Sequence, residues 1–260
     1  MIKTAAAGKV KMQYCVFGTG PRNLVMIPGL SIDPVTPLES LVSAQYASMQ
    51  DDFTIYLFDR RTNAPECYSI EEMAEDTVAV LRTLGLESFC LFGSSQGGMI
   101  AQAIAVNHPE MVEKLVLGSS SSRPNEMSTR VIGEWIELAR QSREEALMAS
   151  MLDAVYSENT LMANRAVWME MWKTITPAKL ARFITIATPI ITFDIHDRLP
   201  EITCDVLVIG CFGDHVLSGP ASVAIAEKLG CSTYMYGAEY GHAVYDEAPD
   251  YVERIHEFLV

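Results

Sequence analysis

A chain of 260 residues, 49% apolar and 20% charged, can bury the core of one large domain and has the composition of a soluble globular protein. Its net charge of −14 speaks against a nucleic-acid or anionic-membrane partner, since either needs a basic face. The six cysteines are scattered, without a Cys-x-x-Cys pair or interleaved histidines, so neither a disulfide framework nor a metal site is expected, and a reducing, cytoplasmic setting is.

The amino-terminal stretch "MIKTAAAGKVKMQY" is broken by Lys3, Lys9 and Lys11, and has no apolar segment of signal-peptide length; no run approaches a membrane span. "KVKMQYCVFG" has the period-two character of a strand and stops at Gly18-Thr19-Gly20-Pro21. "NLVMIPG" is a compact apolar strand ended by Pro28-Gly29, "LESLVSAQYASMQ" a helix, and "FTIYLFD" a buried strand. Ser69 and Glu72 form a capping box ahead of a helix that Gly85 stops. "SFCLFG" is again a strand, followed by a helix to Asn107 and the strand "VEKLVLGSS". Short strands alternating with helices predict βαβ units: an α/β fold with a mostly parallel, doubly wound sheet covered on both faces.

From residue 122 to 202 strand patterns vanish, and helical segments rich in Met, Trp and Ala follow one another. Alternation resumes with "CDVLVIGCFGDH", the helix "ASVAIAEKLG", the strand "STYMYG" and a closing helix "APDYVERIHEFLV". The predicted organisation is therefore a core of residues 1–121 and 203–260, interrupted by a helical insertion of residues 122–202.

The stretch "FCLFGSSQGGMIAQ" joins a strand to a helix through two serines and three glycines. It lacks the Gly-Lys-Ser/Thr ending of a phosphate loop, and its glycines do not fall in a dinucleotide-binding spacing. It does match G-x-S-x-G at Gly93, Ser95 and Gly97. A nucleophile on a sharp strand-to-helix turn needs small residues two places to either side, which selects Ser95 over Ser94. Amides at the start of the following helix could hold a developing oxyanion.

A serine needs a base, and the base an orienting carboxylate; in an elbow fold the chain order is Ser, acid, His. Among the five histidines, His108 ends the helix after Ser95, His196 lies near the insertion's exit, and His256 lies in the closing helix. His215 shares a loop with the expected acid. His242, in the loop "EYGHAVYDEAP", follows Gly241 and precedes the last helix, whose first turn suits Pro249. Asp214 follows the strand Asp205–Ile209, at the carboxyl end where open α/β sheets place their chemistry. Asp194 and Asp197 fall in the insertion's exit, and Asp246 and Glu247 are read as the start of the closing helix.

These residues give the chain its resemblance to the α/β-hydrolase fold superfamily, from about Lys9 to the end. "GSSQGG" resembles its nucleophile elbow, "CFGDHVLSGP" its acid loop and "GHAVYDEAPDYV" its histidine loop, with the insertion where that family carries its cap. "VMIPGL" resembles the oxyanion loop, with Pro28 where many members have histidine. The resemblance implies a Ser95–His242–Asp214 triad, oxyanion donors at the backbone N–H of Leu30 and Gln96, and a structural role for Asp59 and Arg60. A serine nucleophile disfavours dehalogenases and epoxide hydrolases, which use aspartate.

The expectation is acyl transfer from a small, largely apolar ester or lactone to water, with no metal or organic cofactor and a small molecule as the partner. Carbon–carbon or amide hydrolysis uses the same triad, and a small-ligand receptor on a hydrolase scaffold would keep it without turnover. Trp135, Trp168 and Trp172, with neighbouring methionines, read either as an apolar pocket roof or as the insertion's own core.

Overall fold

A computed structural model describes all 260 residues. Eight strands form one sheet: β1 (Lys3–Ala7), β2 (Val10–Phe17), β3 (Arg22–Ile27), β4 (Phe53–Arg61), β5 (Phe89–Ser94), β6 (Val112–Gly118), β7 (Asp205–Cys211) and β8 (Ser232–Tyr236). Their order is β1-β2-β4-β3-β5-β6-β7-β8, with β1, β2 and β4 paired antiparallel and every other pair parallel. The predicted α/β architecture is the one observed. β5, buried at every residue, lies at the centre, as a strand covered on both faces must.

The helices are α1 (Glu39–Gln45), α2 (Ile70–Thr83), α3 (Gln96–Asn107), α4 (Glu126–Arg140), α5 (Glu144–Val155), α6 (Glu158–Met169), α7 (Pro177–Ala187), α8 (Gly219–Leu229), α9 (Val244–Glu247) and α10 (Tyr251–Leu259). α2, α3 and α8 contribute to the apolar core on one face of the sheet. α10 and the segment after α1 contribute Tyr46, Met49, Tyr251, Ile255 and Leu259 to the other. The Ser69–Glu72 capping box forms as expected, and Gly85 ends α2 at φ +73°.

Four elements differ from the sequence reading. The helix read over "LESLVSAQYASMQ" ends as α1 at Gln45, and the chain then turns Tyr46 into the core and tightens to a 3-10 segment, Ala47–Met49. β1 was not anticipated: its Ala-rich, Lys-broken run has little strand propensity, and it forms by pairing with β2 across the turn at Gly8, φ +59°. Within the stretch read as successive helices, α6 ends at Met169, and the following "EMWKT" tightens to a 3-10 segment, Glu170–Thr174. The closing helix is two helices. Val244–Glu247 forms α9, and Pro249 lies in the break before α10, whose N-cap is Asp250, not in a first turn. α4 to α7 all lie between β6 and β7, with no strand among them.

Candidate active site

β5 ends at Ser94 and α3 begins at Gln96, so Ser95 alone makes the turn. Its backbone sits at φ 54°, ψ −120°, a region that costs a residue with a side chain about 1–3 kcal/mol. The flanking glycines are required by space. A Cβ on Gly93 would fall on the Gly97 carbonyl, and one on Gly97 on the Ile27 carbonyl. Two hydrogen bonds from the end of β6 hold the turn: the Ser95 N–H donates to the Gly118 carbonyl (2.7 Å), and the Ser120 hydroxyl donates to the Ser95 carbonyl (2.9 Å).

Three residues far apart in the chain meet here. His242 Nε2 lies 2.9 Å from Ser95 Oγ, and His242 Nδ1 lies 2.8 Å from Asp214 Oδ2. Ser95 is 7% exposed, Asp214 and His242 3% each, so water hardly screens the set. Asp214 Oδ1 also accepts the amides of Val216 (2.8 Å) and Leu217 (2.9 Å). Burial opposes ionisation of Asp214, but the charge and ring N–H of His242, with those two amides, outweigh it and hold the carboxyl below its ordinary range. In this arrangement an imidazole can take the serine proton while the carboxylate fixes its tautomer.

The histidine loop is packed against the helical insertion. A Cβ on Gly241 would press on the backbone of Val155, Tyr156 and Ser157 at 2.6–2.8 Å, which explains the glycine. The Ala243 N–H donates to the Val155 carbonyl at 2.9 Å. Glu247 has a role that sequence reasoning missed. One carboxylate oxygen accepts the Gly241 N–H (2.6 Å), the other the Ser157 N–H (2.8 Å), joining the histidine loop to the start of α6.

Across the serine runs the loop after β3. A Cβ added to Gly29 would lie 3.1 Å from Ser95 Cβ, so the segment carrying Leu30 rests against the elbow. The Leu30 amide makes no hydrogen bond within the chain. Gln96 opens α3, where the first amides have no intrahelical partner. Pro28 leaves this loop without a histidine, and arginines support it instead. Arg60 Nη2 donates to the Pro28 carbonyl (2.6 Å) and to Gln96 Oε1 (3.0 Å); Arg182 Nη1 donates to the carbonyls of Ser31 (3.1 Å) and Ile32 (3.3 Å). Burial and the nearby Arg182 press the Arg60 pKa down to about 10, which leaves it charged at neutral pH. Asp59 accepts the Val35 and Thr36 amides (2.7 and 2.9 Å), fixing the turn after this loop.

The remaining candidates have other partners. His108 caps α3 and meets Glu75, His196 meets the Ser122 hydroxyl, His256 meets Asp52, and His215 is exposed. Trp135 is 2% exposed, with its indole N–H donating to Ser150 of α5, and it lies in the apolar cluster shared with α2, α3 and α8. Trp168 and Trp172 are half-buried, and Trp168 packs on Tyr156, beside the histidine loop, with centroids 4.6 Å apart. No three His, Cys, Asp or Glu side chains are grouped to hold a metal. No helix is long and apolar enough to cross a membrane.

The chain is similar to several known proteins. "Putative carbamate hydrolase RutD" of Rhizobium rhizogenes is 30% identical over 211 residues, 77% of this chain and 79% of that protein. Among solved structures, MGS-M2, an alpha/beta hydrolase enzyme from a Medee basin deep-sea metagenome library, superposes with a TM-score of 0.88 at 19% identity, covering 99% of this chain and 97% of its own. The enol-lactonase from Burkholderia xenovorans LB400 superposes at 0.85 and 18% identity, covering 99% of each chain. The model of the alpha/beta hydrolase family matches residues 24–255, and the chain belongs to that family.

Proposed function

We propose that this protein is a serine hydrolase that cleaves a small, largely apolar ester or lactone through an acyl-enzyme. The reading rests on one observation: Ser95, His242 and Asp214 form a continuous hydrogen-bonded chain with a strained serine at its head. Ser95 Oγ adds to the substrate carbonyl carbon, and its proton passes to His242 Nε2. The carbonyl electron pair moves onto oxygen, held by the amides of Leu30 and Gln96. The intermediate collapses, the carbon–oxygen bond to the leaving group breaks, and His242 returns its proton to that oxygen. Water, giving a proton to His242, then attacks the acyl carbon; the bond from that carbon to Oγ breaks, and His242 passes the proton to Ser95 Oγ. Each oxyanion donor contributes about 3 kcal/mol in comparable sites.

The inserted helices serve as a cap over this site, and the half-buried Trp168 and Trp172 supply its apolar wall. Six unpaired cysteines support a reducing, cytoplasmic setting. A second reading, carbamate cleavage, is favoured by the name carried by the curated relatives. A carbamate offers the same carbonyl to Ser95 with nitrogen on one side.

Intact-mass detection of a fluorophosphonate adduct tests the nucleophile. One adduct on the native chain and none on Ser95→Ala is expected, and a folded native chain that takes no label would overturn the reading. A panel of matched ester, lactone and carbamate substrates then chooses between the two bond classes by kcat/KM.

A further inference from the structure

One face of α7 touches both sides of the proposed oxyanion hole. Lys179, Arg182 and Ile186 recur at helical spacing along it. The Gln96 side chain is fully buried, its Oε1 accepting from Arg60 (3.0 Å) and its Nε2 donating to the Ile186 carbonyl. Arg182 donates to the carbonyls of Ser31 and Ile32, directly after Leu30 (3.1 and 3.3 Å). Lys179 pairs with Asp33 at 2.7 Å. The two amides thus belong to chain segments some 65 residues apart that share one support. An apolar side chain could fill the space of Gln96. A carboxamide bonded at both ends fixes a position instead, because a slip in either direction leaves a buried polar group unpaired.

Resting on the acyl-transfer reading above, we propose that Gln96 is a positioning residue acting through α7. Its bond to Ile186, with those of Arg182 to Ser31 and Ile32, sets the spacing of the Gln96 and Leu30 amides that receive the oxyanion. Such alignment matters only once negative charge develops on the carbonyl oxygen, so its loss belongs in kcat and not in KM.

Gln96→Glu keeps the size and the Arg60 bond but turns an oxygen toward the Ile186 carbonyl, where no donor remains. Arg182→Met removes the second support independently, and Arg182→Lys restores a single donor to it. On an ester that the native enzyme turns over, kcat should fall about 10- to 100-fold in Gln96→Glu and Arg182→Met, with KM within about twofold. Arg182→Lys should recover most of the loss.

The discriminating readout is a pair of inhibitors. A trifluoromethyl ketone is captured when Ser95 Oγ adds to its carbonyl carbon, the serine proton passing to His242 and the carbonyl pair becoming an oxyanion. The matching carbinol cannot form that bond. Ketone affinity should fall in step with kcat while carbinol affinity stays constant. Native kcat in both variants, or equal losses for ketone and carbinol, would overturn the inference. Fluorophosphonate labelling of the native chain separates the two levels: if it labels and the variants are unaffected, only the positioning role fails; if it does not, the acyl-transfer reading fails first and takes this one with it.

Discussion

At Ser95 the usual order of alanine and glycine should invert. Glycine normally costs about 0.5–1 kcal/mol relative to alanine through chain entropy. Here φ is 54°, and any residue with a Cβ is strained. Ser95→Gly and Ser95→Ala both lose the hydroxyl and its contact with His242, so their difference isolates the backbone. Ser95→Gly should therefore melt above Ser95→Ala, by about 1 kcal/mol in thermal unfolding. The ordinary order would show that the turn carries no strain. Asp214 invites a second exchange. Asn at 214 can keep Oδ1 on the Val216 and Leu217 amides, but places a donor against His242 Nδ1, so the ring must take the wrong tautomer. Turnover should drop by about four orders of magnitude with the fold intact. The pH dependence has a definite sign. The folded pKa of Asp214 lies below its ordinary value of 3.8, so its stabilising contribution is complete above that value and is lost as pH falls through the folded one. The melting advantage of the native chain over Asp214→Asn should hold at pH 6 and shrink below about pH 4. A gap independent of pH would remove the coupling.

Elements were legible where their signals are local. The elbow could be read from Gly93, Ser95 and Gly97 because their spacing lies within one strand–turn–helix unit, although only the Gly93 clash is internal to it and the Gly97 clash is with Ile27 at the end of β3. The α2 capping box spans four residues, Ser69 to Glu72, and forms as expected. β1 was not legible, because an alanine-rich edge strand takes its structure from its neighbour and not from its own pattern. The closing helix was misread because Pro249 suits a first turn and a break equally well, and only packing of α9 against the histidine loop decides between them. Gly97→Ala tests how much the elbow depends on its own geometry. The new Cβ would land on the Ile27 carbonyl, a backbone atom of the central sheet that cannot give way. Destabilisation above about 3 kcal/mol, or failure to fold, is expected in urea titration. A variant of near-native stability would mean that α3 can move off the end of β3 without penalty.

Across the whole molecule, each candidate catalytic loop is tied to the helical insertion. Asn125, the N-cap of α4, donates to the Leu217 carbonyl beside the acid (2.8 Å). α7 holds the loop of Leu30 and the side chain of Gln96, and the α5–α6 junction holds the histidine loop. None of this could be read from the chain, because each bond joins residues far apart in sequence, and a lone Arg182 or Glu247 in a helix looks like solvated charge. Glu247 is the sharpest case, since its two oxygens serve the N–H of Gly241 and of Ser157, one on each side of the boundary. Glu247→Gln has nearly the same shape but a single acceptor, so one of the two amides must lose its partner. The cost should be about 1–2 kcal/mol in stability, with kcat lowered several-fold as His242 loses its fixed approach to Ser95. Hydrogen exchange decides whether the effect runs through this boundary. Faster exchange confined to the peptides around Gly241 and Ser157, with β5 and α3 unchanged, is the expected pattern. Native exchange at both peptides would mean that the insertion does not brace the base, and that its other contacts are sufficient to hold the loop.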